Sequence, residues 1–420
     1  MHLKKLYVDI KSAVFDVRTF VADHVLHVNK EELFELINDP CFSSVDIDIA
    51  IPGEKCRITS VGNITQPMCK VGDTASTFPG RLGTMTRVGS GETLVLRGMS
   101  VVESLGIAIP GGVMLDMWGP GTEYTDYGHT VNLVIYAGAA EGVNKDNYFE
   151  AMNMASLKAA KYLAEAALNT KPDAVEEFTL ERPNLEGLPR IAYMFQVFSH
   201  APLTDFPFYG DGCQTALPVL VHPNELLDGA LLNRNYYQIH NGEPSHTYQN
   251  HPVLLDLYKR HGKDLNFVGM ILANNPHTVE DKRRNAMLGV HLTKDYLNPD
   301  GVILTKEGGG HPQIDVQMNC ELAESLGIKT VIMVSGMLST VNACEELLLF
   351  HSDAANAVVN TSGYVTIDLP KPDRVLGKVA VFDRARKGLC DPAGPITHYN
   401  RCMRGAMSQV GNTMYTCENI

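Results

Sequence analysis

The 420-residue chain has no run of basic residues, no CxxC pair, no low-complexity tract and a single tryptophan. Its most apolar stretches, 105–117 and 330–338, are broken by Gly or Pro or fall short of the roughly 20 residues a spanning helix requires, so no membrane role is expected. Against 48 Asp plus Glu stand only 35 Lys plus Arg, a formal net charge of −13. Nucleic acid and anionic membrane surfaces both need clustered positive charge, and neither is expected as a partner. Nine scattered cysteines fit a reducing compartment better than a disulfide framework or a structural zinc site. Asp9, Lys11, Asp16 and Arg18 interrupt what a signal peptide would keep apolar, which makes the cytoplasm the expected location. What remains is an ordinary globular composition, 45% hydrophobic and 20% charged, long enough for two or three domains.

Up to about residue 143 the pattern is strands and turns: short alternations at 45–51, 93–96 and 131–136 lie between glycine clusters. The period then changes. Over 147–168, Phe149, Met152, Leu157, Ala160, Leu163 and Ala167 recur at helical spacing, with Asn147 and Glu150 as the expected N-terminal cap. An acidic, proline-bearing stretch, 172–189, reads as an exposed connection. Strands are expected at 190–198 and 215–222, followed by a polar segment, 233–251, of weak periodicity. From about 265, strands (267–272, 302–304, 330–334) alternate with helices (279–297, 314–326), the pattern of a parallel sheet with right-handed crossovers. Segments 344–350, 357–359, 364–367 and 379–382 are expected to extend it. The expected fold is therefore α/β, with a β-rich N-terminal half (1–185), a connecting segment (186–262) and a C-terminal parallel-sheet α/β domain (263–420).

The strongest local signal is Glu307–Gly308–Gly309–Gly310–His311–Pro312, after one expected strand and before a helix, where open α/β sheets place ligands. Three glycines let backbone amides approach an anion such as a carboxylate, and the following helix N-terminus favours negative charge. The motif matches neither a phosphate-binding P-loop nor a dinucleotide fingerprint. A second cluster sets His240, His246 and His251 beside Tyr236, Tyr237 and Tyr248, but its spacing matches no metal-ligand pattern, so surface histidines and no metal are expected. Cys213 is a conceivable nucleophile, although a lone cysteine is more often a small core residue. The tryptophan, in the turn 116–121, reads as packing.

Taken in order, several blocks resemble the proprotein subunit of component B of glycine, sarcosine and betaine reductases, a family related to the D-proline reductase proprotein. They are DMWGPGTEYT at 116–125, EAMNMASLKAAKYLAEA at 150–166, LDGA at 227–230, HPV at 251–253, NPDG at 298–301, EGGGHP at 307–312, MNC at 318–320, GIKTVI at 327–332 and DAANAVV at 353–359. The resemblance implies a reductase component that cleaves the bond between the α-carbon and nitrogen of an amino acid or its N-methylated derivative. Such precursors cut themselves at an Asn–Cys junction, the Cys becoming a pyruvoyl group that forms a Schiff base with substrate. A selenocysteine-bearing partner subunit then attacks the α-carbon.

Here the matching Asn is Asn235, but the Cys position holds Tyr236. A phenol cannot make the acyl shift that starts cleavage, so the chain is expected to stay whole, with no pyruvoyl cofactor. The expected catalytic residues are Asn235, Tyr236, Glu307 and His311, and the expected substrate-binding residues are Gly308, Gly309, Gly310, Tyr237 and His240. The partners implied are a selenocysteine- or cysteine-containing reductase subunit and a small-molecule substrate. The alternative is a non-catalytic ligand-binding or scaffolding homologue.

Overall fold

The computed structural model describes residues 1–72, 75–108, 113–199, 207–214, 216–237, 242–335, 352–361, 365–383 and 387–411. His240 and the expected strand at 344–350 lie outside these residues.

The N-terminal half holds β1 (His2–Asp9), β2 (Phe42–Ala50), β3 (Val61–Thr65), β4 (Met68–Lys70), β5 (Gly91–Arg97), β6 (Met99–Leu105), β7 (Val131–Ala139), the helix α1 (Lys145–Glu165) and β8 (Ala174–Thr179). They form two four-stranded sheets of order β8-β1-β5-β4 and β2-β7-β6-β3. The helix packs against β6, β3 and β4. All six apolar positions read from its sequence are buried. Its cap differs from expectation: Asn144 accepts the Asn147 amide, because an N-cap carbonyl must sit three residues before that orphan N–H, which makes Asn147 a helical residue.

The C-terminal half is one six-stranded sheet of β9 (Arg190–Val197), β10 (Val219–Val221), β11 (Asn266–Asn274), β12 (Gly301–Lys306), β13 (Lys329–Val334) and β14 (Val358–Asn360), in the order β10-β11-β9-β12-β13-β14. All pairings are parallel except the short edge strand β10. Helices α2 (Val279–Leu292) and α3 (His311–Ser325) are the crossovers on one face, closing over Met194, Ile271, Leu304 and Ile332. Expected strand 215–222 contracts to β10, and expected helix 279–297 ends at Leu292 before a π-helical turn, Thr293–Leu297.

Among the described residues the sheet ends at β14. Residues Thr366–Leu369 pair antiparallel with Ile396–Tyr399, and Val381–Asp383 with Gly388–Cys390, so neither extends it as expected. This C-terminal segment instead returns to the N-terminal half. Arg374–Leu376 adds to the strand Cys56–Thr59, and the fully buried Arg57–Asp116 ion pair sends its remaining guanidinium donors to the carbonyls of Pro370, Pro392 and Gly394. The Trp118 ring lies 6.0 Å from the same guanidinium. Among the described residues no helix is long and apolar enough to cross a membrane.

Candidate functional site at the sheet switch point

From β9 the chain proceeds to β11 on one side, whereas β12 and then β13 lie on the other. The carboxyl ends of β9 and β12 therefore flank the switch point, where an open sheet leaves a crevice. Glu307 follows β12 there and is fully buried. Its Oε2 accepts the Phe198 amide at 3.0 Å, while Oε1 accepts the Glu243 amide at 2.9 Å and the Tyr248 hydroxyl at 2.6 Å. Burial outweighs these donors and pushes its pKa up to about 8. Gly308 has φ +78°, and a Cβ there would meet the Phe198 ring at 2.2 Å, so glycine is required by both dihedral and space. Gly310, at φ +71°, opens α3. His311 is the first residue of that helix and is exposed.

Beside Glu307 stands a second buried carboxyl. Glu243 accepts the Gln409 amide at 2.8 Å, and burial raises its pKa to about 7. Lys306 is buried with its ammonium on the Gly308 carbonyl and, at 3.2 Å, on Gln409 Oε1; burial lowers it to about 7. Arg404, also buried, donates to Gly62 O at 3.1 Å and Gly242 O at 2.9 Å. The returning C-terminal segment and the glycine loop thus share one polar cluster. A narrow cleft of about 10 Å³, roughly water-sized, lies beside it and is lined by Gly242, Glu243, Arg401, Met403, Arg404 and Met407 among others.

Asn235, Tyr236 and Tyr237 sit apart from this cluster. Tyr236 is buried and stacks on Phe149 of α1, ring centroids 4.7 Å apart. Among the described residues its hydroxyl makes no well-formed hydrogen bond, although the Glu103 carboxylate lies near it. Burial, and after it the nearby Glu103 carboxylate, hold its pKa well above the ordinary value. Glu103 accepts from Ser156 Oγ at 2.5 Å and the Asn63 amide at 3.0 Å. Tyr237 donates to Asp146 at 2.7 Å, and the Asn235 amide is held by Asn233 Oδ1 at 2.6 Å. The two regions meet through Asn233: its amide donates to Ser245 Oγ, and its side chain donates to the Glu243 carbonyl.

The histidines differ from the surface reading. His251 is fully buried, its Nε2 3.1 Å from the Tyr193 hydroxyl, and burial lowers its pKa to about 3; His246 is half-buried against Tyr127. Aromatic neighbours, invisible in a local polar pattern, exclude water from both. Among the described residues no three His, Cys, Asp or Glu side chains converge to hold a metal. Cys213 is buried at the end of β11, its carbonyl accepting from Asn274. Glu243, Lys306 and Arg404 escaped sequence reading because each is an isolated charge, and no spacing marks them.

The sequence profile of glycine/sarcosine/betaine reductase component B subunits matches residues 1–418. The chain is 35% identical to the glycine reductase complex component B subunits alpha and beta of Acetoanaerobium sticklandii over 432 aligned positions, covering 100% of both chains. It is 33% identical to the sarcosine reductase complex component B subunit alpha of Peptoclostridium acidaminophilum, over 90% of this chain and 89% of that one. The betaine reductase complex component B subunit alpha of the same organism is 29% identical, over 90% of this chain and 88% of that one. No solved structure gives a significant match. By its full-length match, this chain belongs to the family of glycine/sarcosine/betaine reductase component B subunits.

Proposed function

We propose that the chain is a subunit of a glycine/sarcosine/betaine reductase-like complex that reductively cleaves a small amino-acid-like substrate, and that it acts as one unprocessed polypeptide. The observation that carries this reading is Tyr236 in a chain of this family. A pyruvoyl group arises from a side chain that can take an acyl group and then be eliminated; a phenol stacked in the core beside Phe149 can do neither. The residues at this position do not fit the group, and no step is routed through it.

The acid chemistry is then assigned to the switch point. Glu307 and Glu243, raised by burial to about 8 and about 7, are matched to holding and releasing a proton near neutral pH. A leaving nitrogen needs that proton. The Tyr236 phenol, held well above its ordinary pKa by burial, is too weak an acid to supply it and lies near a different carboxylate, Glu103. The chain offers no exposed nucleophile near Glu307 among the described residues, since Cys213, Cys320 and Cys402 are buried. The attacking selenol or thiol is therefore assigned to a partner subunit in a hetero-oligomer, placed with the chain in the cytoplasm.

The test is intact mass of the purified chain, before and after borohydride. One species of about 46.1 kDa, unchanged by reduction, is expected. Two fragments, or a chain whose mass shifts on carbonyl reduction, would refute the proposal.

A further inference from the structure

We propose that Arg404–Gly411 is a strap closed over the switch-point carboxyls, and that it swings out before Glu307 or Glu243 meets any molecule larger than water. The need for opening rests on the acid role proposed for Glu307; the strap itself does not. In the closed chain Glu307 and Lys306 are fully buried and Glu243 is 3% exposed. Both Glu307 oxygens are taken by protein donors, the Phe198 and Glu243 amides and the Tyr248 hydroxyl. The narrow cleft alongside has room for about one water. A carboxyl that exchanges a proton with an outside molecule has to come within about 3 Å of it, so a wall of this chamber has to move.

The strap is the wall built to move. Among the described residues the other walls are tied into regular structure: β9 and β12 lie inside the parallel sheet, Gly308 is pressed on Phe198, and Tyr248 belongs to the helical turn Ser245–Gln249. Arg404–Gly411 forms neither helix nor strand. It leaves the N-terminal half at Met403, which bridges to Met114, passes the carboxyl end of β12 where Gln409 meets Lys306, and ends with Gly411 beside Pro252 and Met333 of β13. Point attachments hold it. Arg404 donates to the Gly62 and Gly242 carbonyls, the Gln409 amide donates to Glu243, and Val410 sits in the apolar cluster of Val253, Leu254 and Leu257. Gly405 and Gly411, both at φ +87°, bracket the span, and glycine takes up a large backbone rotation at little cost. Closure also has a cost of its own: burial raises Glu307 and Glu243 and lowers Lys306, so three groups are kept from the water that favours their charged forms, and opening relieves all three. The strap is thus a small unit of low local stability.

Two measurements on the full chain test this without turnover. In hydrogen exchange, the Arg404 amide, held by the Met114 carbonyl, and the Gln409 amide, held by Glu243, should exchange together and at least about tenfold faster than the β12 amides. In carboxyl labelling with a water-soluble carbodiimide and ethanolamine, Glu243 and Glu307 should react at a rate set by the strap, whereas Asp228, buried on Lys70 away from it, should react only on wider unfolding. Val410→Ala weakens the apolar anchor and should speed both strap exchange and labelling of the two glutamates at least about tenfold, with Asp228 unchanged. Gln409→Ala removes the Lys306 contact and should act in the same direction if Val410→Ala proves too disruptive to fold. Strap amides as slow as those of β12, or glutamate labelling that follows Asp228 in every variant, would overturn the proposal. A chain that opens in this way yet supports no reductase activity with any partner keeps the strap and removes the proposed function. Reductase activity with a strap as slow as β12 does the reverse.

Discussion

Replacing Gly308 by alanine separates two costs that its geometry combines. The first is conformational: at φ +78° an L-residue loses roughly 1–2 kcal/mol. The second is steric. The new Cβ would lie 2.2 Å from Cδ2 of Phe198, and that ring cannot retreat freely, because it is buried and its own amide is donated to Glu307 at 3.0 Å. Overpacking of this kind costs about 1–3 kcal/mol, giving a total of roughly 2–5 kcal/mol. Gly310→Ala is the control, since its φ of +71° carries the first cost while nothing lies within 4 Å of its Cβ. Hydrogen exchange of the β12 amides is the assay, because a chain of this size need not unfold in one step and local opening free energies are read directly. Gly308→Ala should open β12 more easily than Gly310→Ala by about 1–3 kcal/mol. Equal losses in the two variants would refute the packing argument and leave the loop as a dihedral requirement alone.

Tyr236→Phe should change stability by no more than about 1 kcal/mol, since the hydroxyl it removes makes no well-formed hydrogen bond among the described residues, whereas Tyr248→Phe should lose about 1–3 kcal/mol because it leaves a buried Glu307 oxygen short of a donor; matched denaturation curves compare them. Lys282→Met strands the buried Asp315 carboxylate, which it contacts at 2.5 Å, and should cost about 3–5 kcal/mol, most of it recovered in Lys282→Met/Asp315→Leu. Glu307 and Glu243 have folded pKa values raised above the unfolded ones, so the stability they contribute is present at acid pH and lost as pH rises toward about 8 and about 7. Unfolding free energy measured between about pH 5 and 7 should fall more steeply in wild type than in Glu307→Gln, by about 1.4 kcal/mol per pH unit, and parallel slopes would count against a buried neutral Glu307. Lys306, lowered to about 7, acts with the opposite sign above that window.

The fold was legible where the chain's own periodicity decides it. The apolar stripe of α1 specified which face is buried, and the alternation of β11, α2, β12, α3 and β13 specified a parallel sheet, because both signals are local and repeat several times. The glycine loop was legible for the same reason: three consecutive glycines between strand and helix leave few other uses. Segment 365–411 was misassigned because its strands are short and alternate like any others. Only the partner strand decides which sheet they join, and Cys56–Thr59 lies some three hundred residues earlier in the chain. The polar cluster was hidden by the same separation. Glu243 meets Glu307 across 64 residues and Arg404 meets Gly62 across 342, distances at which no pattern in one sequence pairs two charges.

Two of the blocks that carried the family resemblance tie distant segments together rather than supply reactive groups. Asp228, in the LDGA block, is fully buried and accepts from Lys70 Nζ at 2.8 Å, Thr93 Oγ1 at 2.5 Å and the Gly89 amide at 2.6 Å, fixing the start of the segment that leads to Tyr236 onto the N-terminal sheet. Asp116, in DMWGPGTEYT, grips Arg57 bidentately while that guanidinium collects carbonyls from the returning C-terminal segment. Each is a buried charge whose loss would leave its partner unpaired, which costs several kcal/mol. Tyr236 itself is buried and stacked on Phe149 beside Glu103, so a smaller side chain there would leave a cavity. The switch-point cluster is tied still more widely, because the Glu307, Glu243 and Arg404 side chains are bonded to backbone from four separate segments, and a change at any one of the three releases a donor or acceptor elsewhere.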